Sequence, residues 1–224
     1  GSVFFDGSGD GLTIPNHTSH QFGTNDFTVE FFVYFNSVSS DVTLLGRSDS
    51  GQTVDLFIQY RPSLSNDLRV NTSTSYSPHT FSWTPVTSTW YHVAVTRSGS
   101  DLKAYVNGVQ IGSTANDSNS ISLNRSLGIG YNINNGGQYL DGYMADVRLV
   151  KGTAVYSGAF TPPSGPLTNT GGTYPSTTNV NTSITSDHTT LLASFTDAHV
   201  LDKSQTSNLK LFGTAVSTSA LSAS

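Results

Sequence analysis

The chemistry open to this chain is limited by how few reactive residues it carries. Glu30 is the only glutamate among 15 acidic residues, cysteine is absent, and there are 6 histidines. Hydrolysis of a glycosidic bond with retention takes two carboxyl groups roughly 5 Å apart, one acting as nucleophile and one as acid. Glu30 has no second glutamate to work with. Asp49, Asp55 and Asp67 fall near turns or strand ends, not at a paired spacing on one strand. A Gly-x-Ser-x-Gly elbow is missing, and zero cysteine excludes thiolate metal sites and cysteine nucleophiles. The histidines are scattered: His17 and His20 stand in a loop-like stretch without a third ligand, so zinc is not expected. Glu30 alternates with large apolar residues, which makes it a surface or groove polar residue. His92, between aromatic and apolar neighbours, reads as a half-buried scaffold histidine with a hydrogen-bond partner. An enzyme is not expected.

Binding is the chemistry that remains. Sugars present C–H faces and hydroxyl edges, which proteins meet with exposed aromatic rings and with Asn, Asp, Gln and Arg. Tyr60, Arg61, Tyr76, Trp83, Tyr131, Asn132, Asn134, Gln138 and Tyr139 all fall at strand ends or in loops, where such groups gather into a rim. Hard cations want several oxygens near glycine-bearing turns. Asp6-Gly7-Ser8-Gly9-Asp10-Gly11 supplies them, although it lacks the spacing and the glutamate of an EF-hand loop.

The elements that position these residues are strands. Phe27–Phe35 carries a large apolar group at every odd position, the period-two pattern of a strand with one strongly buried face. Shorter runs of the same kind follow at Val42–Leu45, Val54–Tyr60, Leu68–Thr72, Trp90–Thr96, Leu102–Val106, Val109–Ile111, Leu127–Tyr131 and Tyr143–Val150. Asn107-Gly108 between two of them is a strong hairpin signal, because a type I′ turn needs positive φ at both central residues. Thr153–Ser157 is expected to make one short helical turn. Many short strands separated by turn signals predict an all-β, two-sheet antiparallel β-sandwich, a jelly roll. Residues 164–188 are rich in Thr, Ser, Asn, Gly and Pro and predict a long surface loop or strap. Apolar alternation returns at about 190–216, so closing strands are expected there and residues 1–224 are expected to form one domain. The start almost directly on a strand fits a module cut from a longer protein.

Composition narrows the partners. Charged residues make up 11% of the 224 residues, and the net charge is -5. No basic cluster suggests nucleic acid or an anionic membrane. The longest apolar run, near Phe31–Phe35, is far too short for a bilayer span.

The stretch TWYHVAVTRSGSDLKAYVNGVQIGS (89–113) resembles the central signature of laminin-G-like, concanavalin A-like jelly rolls. It has a tryptophan, a histidine two later, apolar alternation, a glycine turn and Tyr-Val-Asn-Gly. Val3–Leu12 resembles the opening strand of those domains, and Phe27–Val33 the next core strand. GYMADVRLVKGTAVYSGAFTPPSGPL (142–167) resembles the closing segment of such modules in phage structural proteins, marine phages especially. The resemblance implies the fold, which hosts lectins, hydrolases, adhesins and virion parts alike. It also implies that hydrolase members carry Glu-x-Asp-x-x-Glu, which this chain lacks, and that an aspartate in the closing segment completes a structural calcium site. The implied ligands are Asp6 or Asp10, the Gly9 carbonyl and Asp146. Two functions are therefore expected: a lectin-like module contacting a polysaccharide or host glycan on a virion surface or outside the cell, or a purely structural virion component binding other virion proteins.

Overall fold

The computed structural model describes residues 1–51, 53–195, 210–212 and 215–218. The described residues build fifteen strands and one 3-10 turn at Thr18–His20. The first seven strands are β1 (Ser2–Asp6), β2 (Gly11–Ile14), β3 (Phe27–Phe35), β4 (Val42–Arg47), β5 (Leu56–Arg61), β6 (Asp67–Asn71) and β7 (His79–Ser82). Then come β8 (Trp90–Ser98), β9 (Asp101–Val106), β10 (Val109–Asn116), β11 (Leu127–Ile129) and β12 (Asp141–Lys151). The last are β13 (Thr189–Ala193), β14 (Lys210–Phe212) and β15 (Val216–Thr218).

They form two antiparallel sheets stacked as a jelly-roll sandwich. One has eight strands in the order β10-β9-β8-β3-β12-β1-β15, with β13 also paired to β12. The other has seven, in the order β14-β2-β11-β4-β5-β6-β7. The late strands β14 and β15 pair with β2 and β1. Leu209 and residues 196–208 of the expected closing region lie outside the described residues.

The period-two rule sorts β3 cleanly. Phe27, Val29, Phe31, Val33 and Phe35 enter the core between the sheets. From the other sheet they meet Leu44, Leu45, Leu56, Ile58 and Leu68. The even residues Thr28, Glu30 and Phe32 point to the opposite face, yet they are buried too. The reason is the segment after β12. It crosses that outer face and adds a second apolar cluster, in which Val155, Tyr156, Phe160 and Ile184 pack on Ala94, Tyr105 and Val150. Tyr156 and Phe160 stack at 3.6 Å. The Thr/Ser-rich loop is thus a strap laid over the eight-stranded sheet. Thr153–Ser157, expected as a helical turn, is non-helical: Thr28 Oγ1 takes its bonds, donating to the Thr153 carbonyl and accepting from Val155 N. No helix among the described residues is long and apolar enough to cross a membrane.

The Asn107-Gly108 turn has positive φ at both residues, 48° and 78°. Its second residue is also a contact. A Cβ on Gly108 would sit 1.8 Å from the carbonyl oxygen of Phe160, so hairpin and strap meet there through backbone alone. Gly108→Ala is therefore expected to cost about 2 kcal/mol in chemical denaturation, from strain and loss of strap docking. An unchanged unfolding midpoint would contradict this contact.

Candidate functional site

Three places gather groups that could do chemistry. The first surrounds Glu30, on the outer face of β3. Expected at a surface or groove, Glu30 is instead fully buried beneath the strap. A β-bulge in β12, between Ala145 and Arg148, shifts the register by one residue and brings Arg148 opposite Glu30. Arg148 Nη2 and Nε donate to Glu30 Oε1 at 2.6 and 2.8 Å. Tyr156 Oη donates to Oε2 at 2.6 Å, and His92 Nε2 lies 3.1 Å from the same oxygen. Arg148 then spends its remaining N–H groups on the strap, at the carbonyls of Thr168 and Gly171 and the hydroxyl of Tyr174. Burial alone would raise the carboxyl pKa of Glu30, but the guanidinium of Arg148 and the bonds from His92 and Tyr156 outweigh it and hold the pKa at about 2. Burial and the Glu30 charge push the Tyr156 phenol well above its usual value. A carboxylate saturated by four donors and sealed from solvent cannot hand on a proton. The cluster is structural, and His92 serves the scaffold.

The second place is a hollow of about 180 Å³ where Asp6 and Asp141 face each other across the β1–β12 ladder, beside Tyr139. Asp6 Oδ1 accepts from Ser8 N, and Asp10 Oδ2 accepts from Asp6 N, so both carboxylates cap the turn they lie in. Asp141 Oδ1 accepts from Asn36. The predicted calcium set does not assemble here. Asp6 pairs with Asp141, which leaves Asp146 five residues further along β12, on the order of 15 Å away at the rise of a strand. Asp146 lies in the bulge with φ 46°, and its carboxylate accepts from Leu167 N at 3.4 Å. Among the described residues no three acidic or histidine side chains could hold a metal ion. Nor is this a hydrolase pair: such a site shields one acid in an apolar pocket, and Asp6 is exposed in an open, polar one.

The third place is a groove of about 370 Å³ on the outer face of the seven-stranded sheet. Alternation in β5 turns Leu56, Ile58 and Tyr60 into the core and Phe57, Gln59 and Arg61 outward to form the floor. Gly46 on β4 makes room for this, since a Cβ there would stand 2.3 Å from the Phe57 ring. One wall is Thr74 and Tyr76 from the β6–β7 connection. The other is Asn132, Asn134, Asn135 and Gln138 from the β11–β12 loop. Tyr76 is 42% exposed. None of the lining residues is a carboxylate. The one lining cation, Arg61, is paired with Asp41 at 2.7 Å.

Of the rim residues expected from sequence, the structure brings together Arg61, Tyr76, Asn132, Asn134 and Gln138. It removes Tyr60 and Trp83, whose rings pack on Phe35 in the core. Tyr131 is buried with its hydroxyl on Thr13, and Tyr139 belongs to the hollow beside Asp6. Sequence reasoning missed Phe57 and Gln59. The signal was present, because both alternate with the core residues Ile58 and Tyr60 and share a face with Arg61.

Comparison with known proteins is consistent with this architecture. The family model described as concanavalin A-like lectin/glucanases superfamily matches residues 6–162. No curated protein matches the chain at a significant level. Among solved structures, a candidate carbohydrate binding protein from Bacteroides ovatus aligns at TM-score 0.64 and 15% identity, covering 98% of this chain and 60% of its own. A heptameric pentraxin from Limulus polyphemus aligns at 0.51 and 19%, covering 66% and 74%. Domain 4 of an extracellular arabinanase from Geobacillus stearothermophilus, in complex with arabinotriose, aligns at 0.50 and 18%, covering 72% and 78%. At these identities the likeness is one of fold.

The Glu30 cluster sets an acid limit on stability. Its folded pKa of about 2 lies below the ordinary 4.5, so its contribution is complete above pH 4.5 and lost as pH falls toward 2. That difference corresponds to roughly 3 kcal/mol. Unfolding free energies are expected to decline through this window in the native chain. Glu30→Gln should lose about 3–5 kcal/mol at neutral pH, because it strands the Arg148 charge, and should flatten the acid decline.

Proposed function

Because the chain belongs to the concanavalin A-like lectin/glucanases superfamily, we propose that it is a non-catalytic carbohydrate-binding module whose groove on the seven-stranded sheet takes the glycan. One observation carries this reading: a half-exposed tyrosine ring faces a wall of amides across the groove, and no carboxylate is among the described residues that line it. Tyr76 offers a face to sugar C–H groups, and the amides offer directional hydrogen bonds to hydroxyls. The described residues lining the groove supply no pair of carboxyl groups, and the nearby Asp41 is paired with Arg61, so a sugar there is held and not cleaved. The candidate carbohydrate binding protein and the arabinotriose-bound domain of like fold support the assignment.

The finer setting is also a proposal. Residues 142–167 resemble modules of phage structural proteins, which supports display on a phage particle or another extracellular surface. Weak binding at a single groove suits such display, since many copies add their strength. The rival role, a virion component that binds only other virion proteins, would leave the groove idle. Calcium enters only as a proposal for the Asp6–Asp10 turn, where it competes with the turn's own hydrogen bonds. A chelator that leaves the melting temperature unchanged removes it, whereas a gain of several degrees on adding calcium supports it.

A glycan array followed by calorimetry tests the main reading. At least one oligosaccharide family is expected to bind without being hydrolysed. Tyr76→Ala should weaken it about tenfold, or about 1.4 kcal/mol, with little change in melting temperature. Glycan binding that Tyr76→Ala leaves intact would move the site elsewhere.

A further inference from the structure

Side-chain amides can turn either way, so the polarity of an amide-lined surface is normally open. In this groove it is not. The backbone N–H of Asn134 cannot invert, and it donates to Asn132 Oδ1 at 3.0 Å. That bond directs Asn132 Nδ2 away, onto Gln138 Oε1 at 3.0 Å. Gln138 must therefore point its oxygen into the protein, where it also accepts from Gln59 Nε2 at 2.8 Å and Thr43 Oγ1 at 2.9 Å. Gln59 Nε2 donates its second proton to Thr43 Oγ1, which leaves Gln59 Oε1 as acceptor for the Tyr76 hydroxyl at 3.0 Å. The hydroxyl lone pair faces Arg61 Nη1 at 3.5 Å.

Each acceptor oxygen in this chain of bonds thus already takes at least one donor from the protein. The Gln138 Nε2 amide protons have no protein partner among the described residues, and Gln138 lines the groove. The loop holds Gln138 firmly, since its backbone φ is 54° and its carbonyl accepts from Thr43 N at 2.9 Å. From this relay, and resting on the glycan reading of the groove, we infer that the site selects a sugar bearing an sp² oxygen. That oxygen is an acyl carbonyl or a carboxylate, received by the Gln138 amide protons beside Tyr76. Hydroxyl-only sugars can also accept, but each hydroxyl brings a proton of its own, and the relay's oxygens beside Gln138 already serve protein donors. Asn132 is a positioning residue in this scheme: it acts through Gln138.

The test compares three tetrasaccharides on the full chain by calorimetry. A galacturonate tetramer carries carboxylates, an N-acetylglucosamine tetramer carries acyl carbonyls, and a glucose tetramer carries hydroxyls alone. At least one of the first two is expected to bind ten times or more tighter than the third, and which one it is separates acyl from carboxylate. Gln138→Glu keeps one oxygen in the relay and turns the groove-facing donor into an acceptor, so it should abolish the preference. Asn132→Asp keeps the bond from Asn134 but reverses the relay, and it should erode the preference for the uncharged N-acetyl sugar as well. Equal binding of all three sugars, or a preference that survives Gln138→Glu in a folded protein, overturns the inference and leaves the glycan module standing. Binding of none of the three at millimolar concentration also overturns the inference, while only a blank glycan array overturns the glycan module.

Discussion

A guanidinium removed from water must be neutralised and must also find acceptors for five N–H groups, more than one carboxylate can supply. Three arginines of this chain, Arg47, Arg97 and Arg148, are fully buried and meet most of that demand, the Nε of Arg47 being the one that finds no acceptor among the described residues. Each faces one carboxylate, Asp55, Asp117 and Glu30 respectively. Each then turns its surplus N–H groups onto backbone carbonyls of connecting segments: Leu123 for Arg47, Gly23, Asn25 and Asn119 for Arg97, Thr168 and Gly171 for Arg148. The sheets are held by apolar contact, and the segments that join them are pinned by these arginines. In a chain with so few charges, placing three of its cations inside is a large share of its electrostatic capacity.

The pin at Arg148 has the widest consequence. It clamps the strap to the outer face of the eight-stranded sheet and closes that face with Tyr156, Phe160 and Ile184. The corresponding face of the seven-stranded sheet carries an open groove. The two sides of the sandwich are therefore unequal, one devoted to cohesion and the other exposed for contact. The same hydrogen-bonding logic runs through both. Beneath the strap, donors converge on one carboxylate and quench it. In the groove, donors converge on the Gln138 carbonyl and leave its amide protons outward.

Much of this was legible in the residues. The alternation in Phe27–Phe35 forces a strand with one apolar face, and the Asn107-Gly108 pair forces a tight turn. The groove was half legible. Arg61, Tyr76, Asn132, Asn134 and Gln138 were recognisable as polar and aromatic groups at strand ends. Tyr60 and Trp83 carry the same chemistry, yet they point into the core. A residue type says what a side chain can bind, and only the direction of its Cβ in the folded sheet says whether it meets a ligand or another ring.

What the sequence by itself determined is what depends on neighbours in the chain: strand periodicity, turn chemistry, the inventory of acids and the absence of thiols. Tertiary structure alone decided which faces are covered, where Asp146 lies relative to Asp6, and that Glu30 is buried. The Glu30–Arg148 bond joins residues 118 apart, through a bulge that moves the register by one. A local pattern of period two tells two sides of a strand apart. Which of them meets water is set by segments that arrive from elsewhere in the chain.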